Sequence, residues 1–260
     1  MIRLLGSTLM AAAFLLPTGL AAQVSRLSPS SETKVGLEVS KTFMGDFDFG
    51  WYTSVARGRL LTPVGTKTHL MIDWGLSIAS LSGTSSATLS NPEIGLVFSN
   101  EAGASTGYVS VVVPIAKEFG DDDFATLTGF FSDIEHPERF VPELWSINAG
   151  LTPSVPVGPE TTLDFVAVAS VKIPDGNSDT ELFARYGVGM SRDTDVLHFY
   201  AELTGLAILS EGDLSFGERT IHQVSVGIDG LTGGPGLFIR VPLDDAFDSV
   251  DATIGITFTF

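Results

Sequence analysis

Ser249-Val250-Asp251-Ala252-Thr253-Ile254-Gly255-Ile256-Thr257-Phe258-Thr259-Phe260 closes the chain with an apolar residue at every even position and a polar residue or glycine at every odd one. Successive side chains of a β-strand point to opposite faces, so this is a strand with one apolar and one wet face. Phe258 and Phe260 share the apolar face, as in a lipid-facing strand that ends in an interfacial aromatic girdle.

A terminal Phe preceded by alternate hydrophobic residues resembles the C-terminal recognition signal of bacterial outer-membrane proteins. That resemblance implies insertion by the barrel-assembly machinery, with Phe258 and Phe260 as the assembly signal.

The same period of two recurs upstream. Leu163, Phe165, Ala167, Ala169 and Val171 alternate with Thr162, Asp164, Ser170 and Lys172. Leu70, Ile72, Trp74, Leu76 and Ile78 alternate with His69, Asp73, Gly75 and Ser77, and Leu197, Phe199, Ala201 and Leu203 with His198, Tyr200, Glu202 and Thr204. With weaker segments these give an all-β chain, a transmembrane antiparallel up-and-down barrel. About twelve strands are expected, at 33–43, 49–61, 67–80, 86–99, 105–117, 142–155, 159–172, 180–191, 194–207, 218–229, 235–242 and 249–260, with ten or fourteen also compatible with the pattern. An even count puts both termini on the periplasmic side. The connections on that side are short and most carry Gly or Pro, as in Thr62-Pro63-Val64-Gly65-Thr66, whereas the outward ones are longer on average and acidic.

Residues 1–22 read as a secretory signal peptide: Arg3, an apolar run from Leu9 to Leu16, Pro17, and the small-residue exit Gly19-Leu20-Ala21-Ala22. The run is too short and too broken for a spanning helix, and none follows it. Residues 23–260 are then the outer-membrane barrel. The chain has no cysteine, which excludes thiol chemistry, thiolate metal sites and disulfides. Its 31 acidic residues against 14 basic ones give a net charge of −17 and make nucleic acid an unlikely partner. The expected partners are outer-membrane lipid and lipopolysaccharide, the assembly machinery and a small-molecule solute.

Parity assigns an inward polar set: Glu38, Asp73, Glu93, Asp164, Glu181, Arg185, His198, Glu202, Arg240 and Asp251, with Arg57 or Arg59 added. Across an open lumen these would favour cations or neutral solutes; in a narrow one they would form a salt-bridged plug. The longest connection, Lys117 to Val141, joins Asp121-Asp122-Asp123 to an apolar patch containing Phe130 and Phe131, the gating-loop candidates. Loops this long in compact folds are usually functional or mobile. This one could fold inward as a constriction or plug, or lie on the surface as a flap. The flap is the preferred reading, since Pro137 and its acidic neighbours argue against a buried helix.

Catalytic and metal chemistry find little support. His198 with Glu202, and His69 with Asp73, share strand faces, but no serine stands beside either histidine at the matching spacing, and His222 and Ser225 fall on opposite faces. The acidic triplet lacks the glycine and distal glutamate of a calcium loop. The chain is therefore expected not to be an enzyme, and to need no cofactor or metal.

Asn91-Pro92-Glu93-Ile94-Gly95-Leu96-Val97-Phe98, the stretch from Tyr108 to Ala116, and the closing strand from Ala252 to Phe260 resemble the transporters of the phenol-degradation (meta-pathway) outer-membrane family. The resemblance covers about a third of the chain and implies a barrel of about twelve strands that moves hydrophobic or aromatic compounds. Passive passage of small solutes is the expected function. The alternative is a structural or adhesive barrel whose acidic loops bind external partners.

Overall fold

The computed structural model describes residues 31–45, 51–81, 84–99, 105–119, 124–175, 179–210, 219–230, 234–244 and 250–260. The expected signal peptide and the Asp121–Asp123 cluster lie outside them. The described residues form fourteen strand segments: β1 (Lys34–Met44), β2 (Trp51–Pro63), β3 (Thr68–Leu81), β4 (Thr84–Leu89), β5 (Glu93–Ser99), β6 (Ser105–Val112), β7 (Glu118–Phe119), β8 (Leu144–Pro156), β9 (Thr161–Pro174), β10 (Glu181–Asp193), β11 (Leu197–Ile208), β12 (Thr220–Gly230), β13 (Gly234–Pro242) and β14 (Val250–Thr259). Among the described residues they are interrupted by a helix, α1 (Phe124–Ser132), and a 3-10 turn at Pro137–Arg139.

Every pairing is antiparallel, and the first and last strands meet, with Gly36 opposite Thr259 and Thr42 opposite Thr253. The ring of β1, β2, β3, β5, β6 and β8 to β14 is a closed barrel of twelve strands. Closure pairs β1 with β14, so their backbone groups bond within the wall, as a bilayer without water to solvate them requires. The period of two sorts the side chains. Trp74, Ile94, Val109, Ile147, Leu203 and Ile256 are exposed on the outer wall, while their chain neighbours Asp73, Glu93, Ser110, Ser146, Glu202 and Thr257 are buried in the interior.

Two strands differ from expectation. The segment predicted as one strand over 86–99 is broken into β4 and β5, both paired to β3. Between them stand Ser90, Asn91 and Pro92, and a proline has no N–H to give the ladder. The strand predicted over 105–117 leaves the wall after Val112, just before Pro114. The wall between β6 and β8 is therefore short at its outer end, and the chain turns there toward the barrel axis.

Two apolar clusters stand among the polar residues of the periplasmic half of the interior. Leu61, Met71, Val97, Tyr108, Val166 and Val168 form one buried cluster, and Tyr200 and Phe238 form a second. Tyr108 lies flat across Gly150, where a Cβ would come within 2.6 Å of its ring. A side chain at that glycine would push the ring into the lumen.

Candidate functional site

The described residues of the connection from Val113 to Glu143 fill the barrel from within. After two residues of β7 on β4, helix α1 packs against the inner side of β1 to β4, and the 3-10 turn carries the chain back to β8. Ala125, Thr128, Gly129, Ser132 and the run from Asp133 to His136 are buried, as are Glu138, Arg139 and Phe140. The surface-flap reading is thus overturned. A buried helix forms upstream of Pro137, and Pro137 opens the 3-10 turn, where a missing N–H costs nothing. The acids at 133–138 are buried because the barrel wall supplies their partners.

Those partners include much of the inward set. Arg57 bonds both Glu38 and Asp133. Arg139 donates to Asp133 at 2.8 Å, to Glu93 at 3.1 Å and to Asp73 at 3.2 Å, while Arg59 takes the same Asp73 oxygen. Arg240 holds Glu38 through two parallel bonds of 3.1 and 2.9 Å and donates to the Ser132 carbonyl. Lys172 meets Glu138 at 2.8 Å, and Thr204 and Gln223 donate to Glu135. Arg185 bonds His136 Nε2 and, at 2.6 Å, the Tyr108 hydroxyl. The six carboxylates Glu38, Asp73, Glu93, Asp133, Glu135 and Glu138 thus face the six cations Arg57, Arg59, Arg139, Lys172, Arg185 and Arg240. Buried charges are tolerated only when paired and hydrogen-bonded, and removing one member of such a pair costs ~3–5 kcal/mol.

The protonation pattern of the plug follows from this wiring. Arg185 can only donate, so His136 Nε2 accepts, and Nδ1 carries the proton that it gives to Asp133 at 2.9 Å. Burial, and then the cations Arg139 and Arg185, push the His136 pKa down to about 4 and keep the ring neutral. Burial opposes charge on Glu138, but Lys172 outweighs it and holds that carboxyl at about 2. Asp133 lies well below the usual range because His136, Arg57 and Arg139 overcome its burial. Glu135 is raised, by burial and by the nearby Asp133 charge.

Asn91, at the break between β4 and β5, anchors the return of the plug. Its Nδ2 donates to the carbonyls of Glu138 at 2.8 Å and Val141 at 2.7 Å, and its Oδ1 accepts the Ala116 N–H at 2.6 Å.

The other candidates fall elsewhere. Asp164 and Glu202 are buried on the interior face, where Ser154 donates to Asp164. His198 is at the periplasmic rim beside Asp193, at 2.5 Å. Glu181 is half-buried at the outer end of β10, and Asp251 is half-buried near a register shift in the β1–β14 pairing. Arg57 and Arg59 both face inward. Phe130 and Phe131 are half-buried on α1 with ring centroids 5.4 Å apart. Phe258 is half-buried and Phe260 exposed at the end of β14. Lys172 and the plug residues Asp133, Glu135, His136, Glu138 and Arg139 were not among the expected site residues. Parity shows that Lys172 faces inward, but no strand pattern reaches the plug.

No known family and no curated protein matches the sequence. Solved structures do match in fold. An outer membrane channel from Pseudomonas putida F1 superposes with a TM-score of 0.55 at 15% identity, over 92% of this chain and 98% of that one. LpxR from Salmonella typhimurium gives 0.52 at 13% identity, over 87% and 99%. The translocator domain of the autotransporter NalP from Neisseria meningitidis gives 0.51 at 13%, over 99% and 95%. LpxR is an enzyme barrel, so the expectation that this chain is not an enzyme does not stand: the same architecture carries catalysis as well as passage. The chain has the fold of the bacterial outer-membrane β-barrels, and its place is the outer membrane.

Proposed function

We propose that the barrel is a passive channel for small solutes, hydrophobic or aromatic ones included, and that the segment 113–143 closes it at rest. The observation that carries this reading is the nature of the filling. The lumen is blocked by one connection, held at both ends in the wall and seated through polar bonds that water can replace, rather than by inward-facing wall residues alone. Beneath it lies the apolar wall of Leu61, Met71, Val97, Val166 and Val168, a surface suited to an apolar solute once the plug moves. The resemblance to the phenol-degradation transporters and the fold shared with an outer membrane channel support the same reading.

Replacing Asp121 to Glu138 by a short Gly/Ser turn tests it, because no barrel strand is cut. Single-channel conductance in planar bilayers and uptake of small aromatic solutes should both rise. If both are unchanged while insertion is normal, the channel reading fails. The filled lumen would then favour the alternative, a closed barrel whose acidic loops bind external partners.

A further inference from the structure

A second polar constellation lies on the opposite side of the wall from the plug. Tyr186 on β10, Gly205 on β11 and His222 on β12 are register neighbours, so they form one lateral row across three adjacent strands. The row is on the exterior face, because Gln223 and Ser225 of β12 are buried inside. It lies toward the outer-leaflet end, since His222 is the third residue of β12 from the outer loop. Gly205 makes the contact possible: a Cβ there would come within 2.7 Å of the Tyr186 ring. The phenol therefore crosses the empty position, and its hydroxyl reaches His222 Nε2 at 2.8 Å.

The segment after β13 completes the arrangement. Leu243 donates its N–H to the His222 carbonyl at 2.9 Å, Asp244 accepts the His222 backbone N–H, and Asp244 Oδ1 lies 3.2 Å from His222 Nδ1. An ionised Asp244 cannot donate, so Nδ1 carries the ring proton and Nε2 accepts the Tyr186 O–H. A carboxylate orients an imidazole, and the imidazole takes a proton from a hydroxyl. The exposed Val188 and Leu203 lie beside the row on the same face.

We propose that Asp244, His222 and Tyr186 form a proton relay that makes the Tyr186 hydroxyl a nucleophile toward neutral acyl esters of amphiphiles in the outer leaflet. Tyr186 Oη bonds to the acyl carbon as its proton passes to His222 Nε2. The carbon–oxygen bond to the alcohol then breaks, and the departing oxygen takes that proton. Water, deprotonated by His222, hydrolyses the acyl-tyrosine and restores the phenol. Phenol leaves more readily than an alkanol, so this intermediate is drained by hydrolysis. The Asp244 charge disfavours phosphodiesters and leaves neutral esters as the fitting class.

The full-length barrel in detergent micelles, treated with p-nitrophenyl butyrate, tests the relay by peptide mass mapping. Tyr186 should acylate on the order of 10²-fold faster than Tyr52, a tyrosine with 56% of its surface exposed. His222→Ala and Asp244→Asn should remove most of that advantage, and Tyr186→Phe should abolish acylation at the site, with heat-modifiable migration unchanged in all three. Acylation of Tyr186 no faster than of Tyr52, or a Tyr186 rate untouched by His222→Ala, would overturn the proposal.

Discussion

Asn91 Nδ2 donates to the Glu138 carbonyl oxygen at 2.8 Å, which ties a break in the barrel wall to the plug inside it. The same carboxamide satisfies the Val141 carbonyl and the Ala116 N–H, so three backbone groups at the two ends of the plug depend on one side chain. A buried group stranded without its partner costs ~1–3 kcal/mol.

Asn91→Ala should therefore loosen the plug while the barrel, whose ladders are untouched, still folds. The expected outcome is faster amide hydrogen exchange over 113–143 than in the wild type, with unchanged exchange in β8 to β12. Equal protection of the plug in both proteins would show that Asn91 is not its anchor.

Phe140 supplies the apolar counterpart. It is 0% exposed and packs against Gly129 of α1, where an added Cβ would overlap its ring, and it also comes near Gly75 on β3. Overpacking of this kind costs ~1–3 kcal/mol. Gly129→Val should displace helix and ring from each other, raising open probability in planar bilayers, whereas Leu127→Val, on the exposed side of α1, should not. If the Gly129 variant stays closed, the helix is not part of the gate.

Acid should also weaken docking, and the sign follows from His136. Its pKa is 6.5 when the plug is free and about 4 when docked among Asp133, Arg139 and Arg185, so the free plug binds more protons between those values. Docking is then fully supported above about pH 6.5 and loses up to ~3 kcal/mol by about pH 4. Glu138, lowered from 4.5 to about 2, extends the loss below pH 4.5. Glu135 acts oppositely, since its raised pKa lets the docked plug take a proton first. Conductance should thus rise as pH falls from 6.5 to 4, more steeply in Glu135→Gln and less in His136→Asn. A flat wild-type profile would refute the coupling.

Most of the wall was legible in the sequence because a lipid-facing strand imposes its period on every second residue: Trp74 and Asp73, or Ile256 and Thr257, announce their faces by composition alone. The inward charges were legible for the same reason. Their partners were not. Asp133, Glu138 and Arg139 sit in a segment with no period, and their burial depends on Arg57 of β2, Lys172 of β9 and the carboxylates Asp73 of β3 and Glu93 of β5, which no local pattern encodes. Asn91 stands in an Asn-Pro step that the sequence displays, but its role needs Ala116, Glu138 and Val141 brought together by the fold. The Tyr186–His222 contact has no local signature, because the hydroxyl comes from two strands away across a glycine.

The end of the chain separates folding from assembly. Phe260 exchanges both backbone hydrogen bonds with Val35, at 2.9 and 3.0 Å, yet its ring is 71% exposed and adds little to packing. Phe260→Ala keeps the backbone pair and removes the ring alone. If the terminal aromatic is the recognition element for the barrel-assembly machinery, the variant should refold into detergent as well as the wild type, while membrane-inserted protein falls several-fold in cells, most clearly at high expression. Deleting Phe260 outright removes the backbone pair as well, so it should lower both readouts. Equal insertion of Phe260→Ala and wild type in cells would mean that the alternating strand, with Ile254, Ile256 and Phe258 on its outer face, is recognised without the final ring.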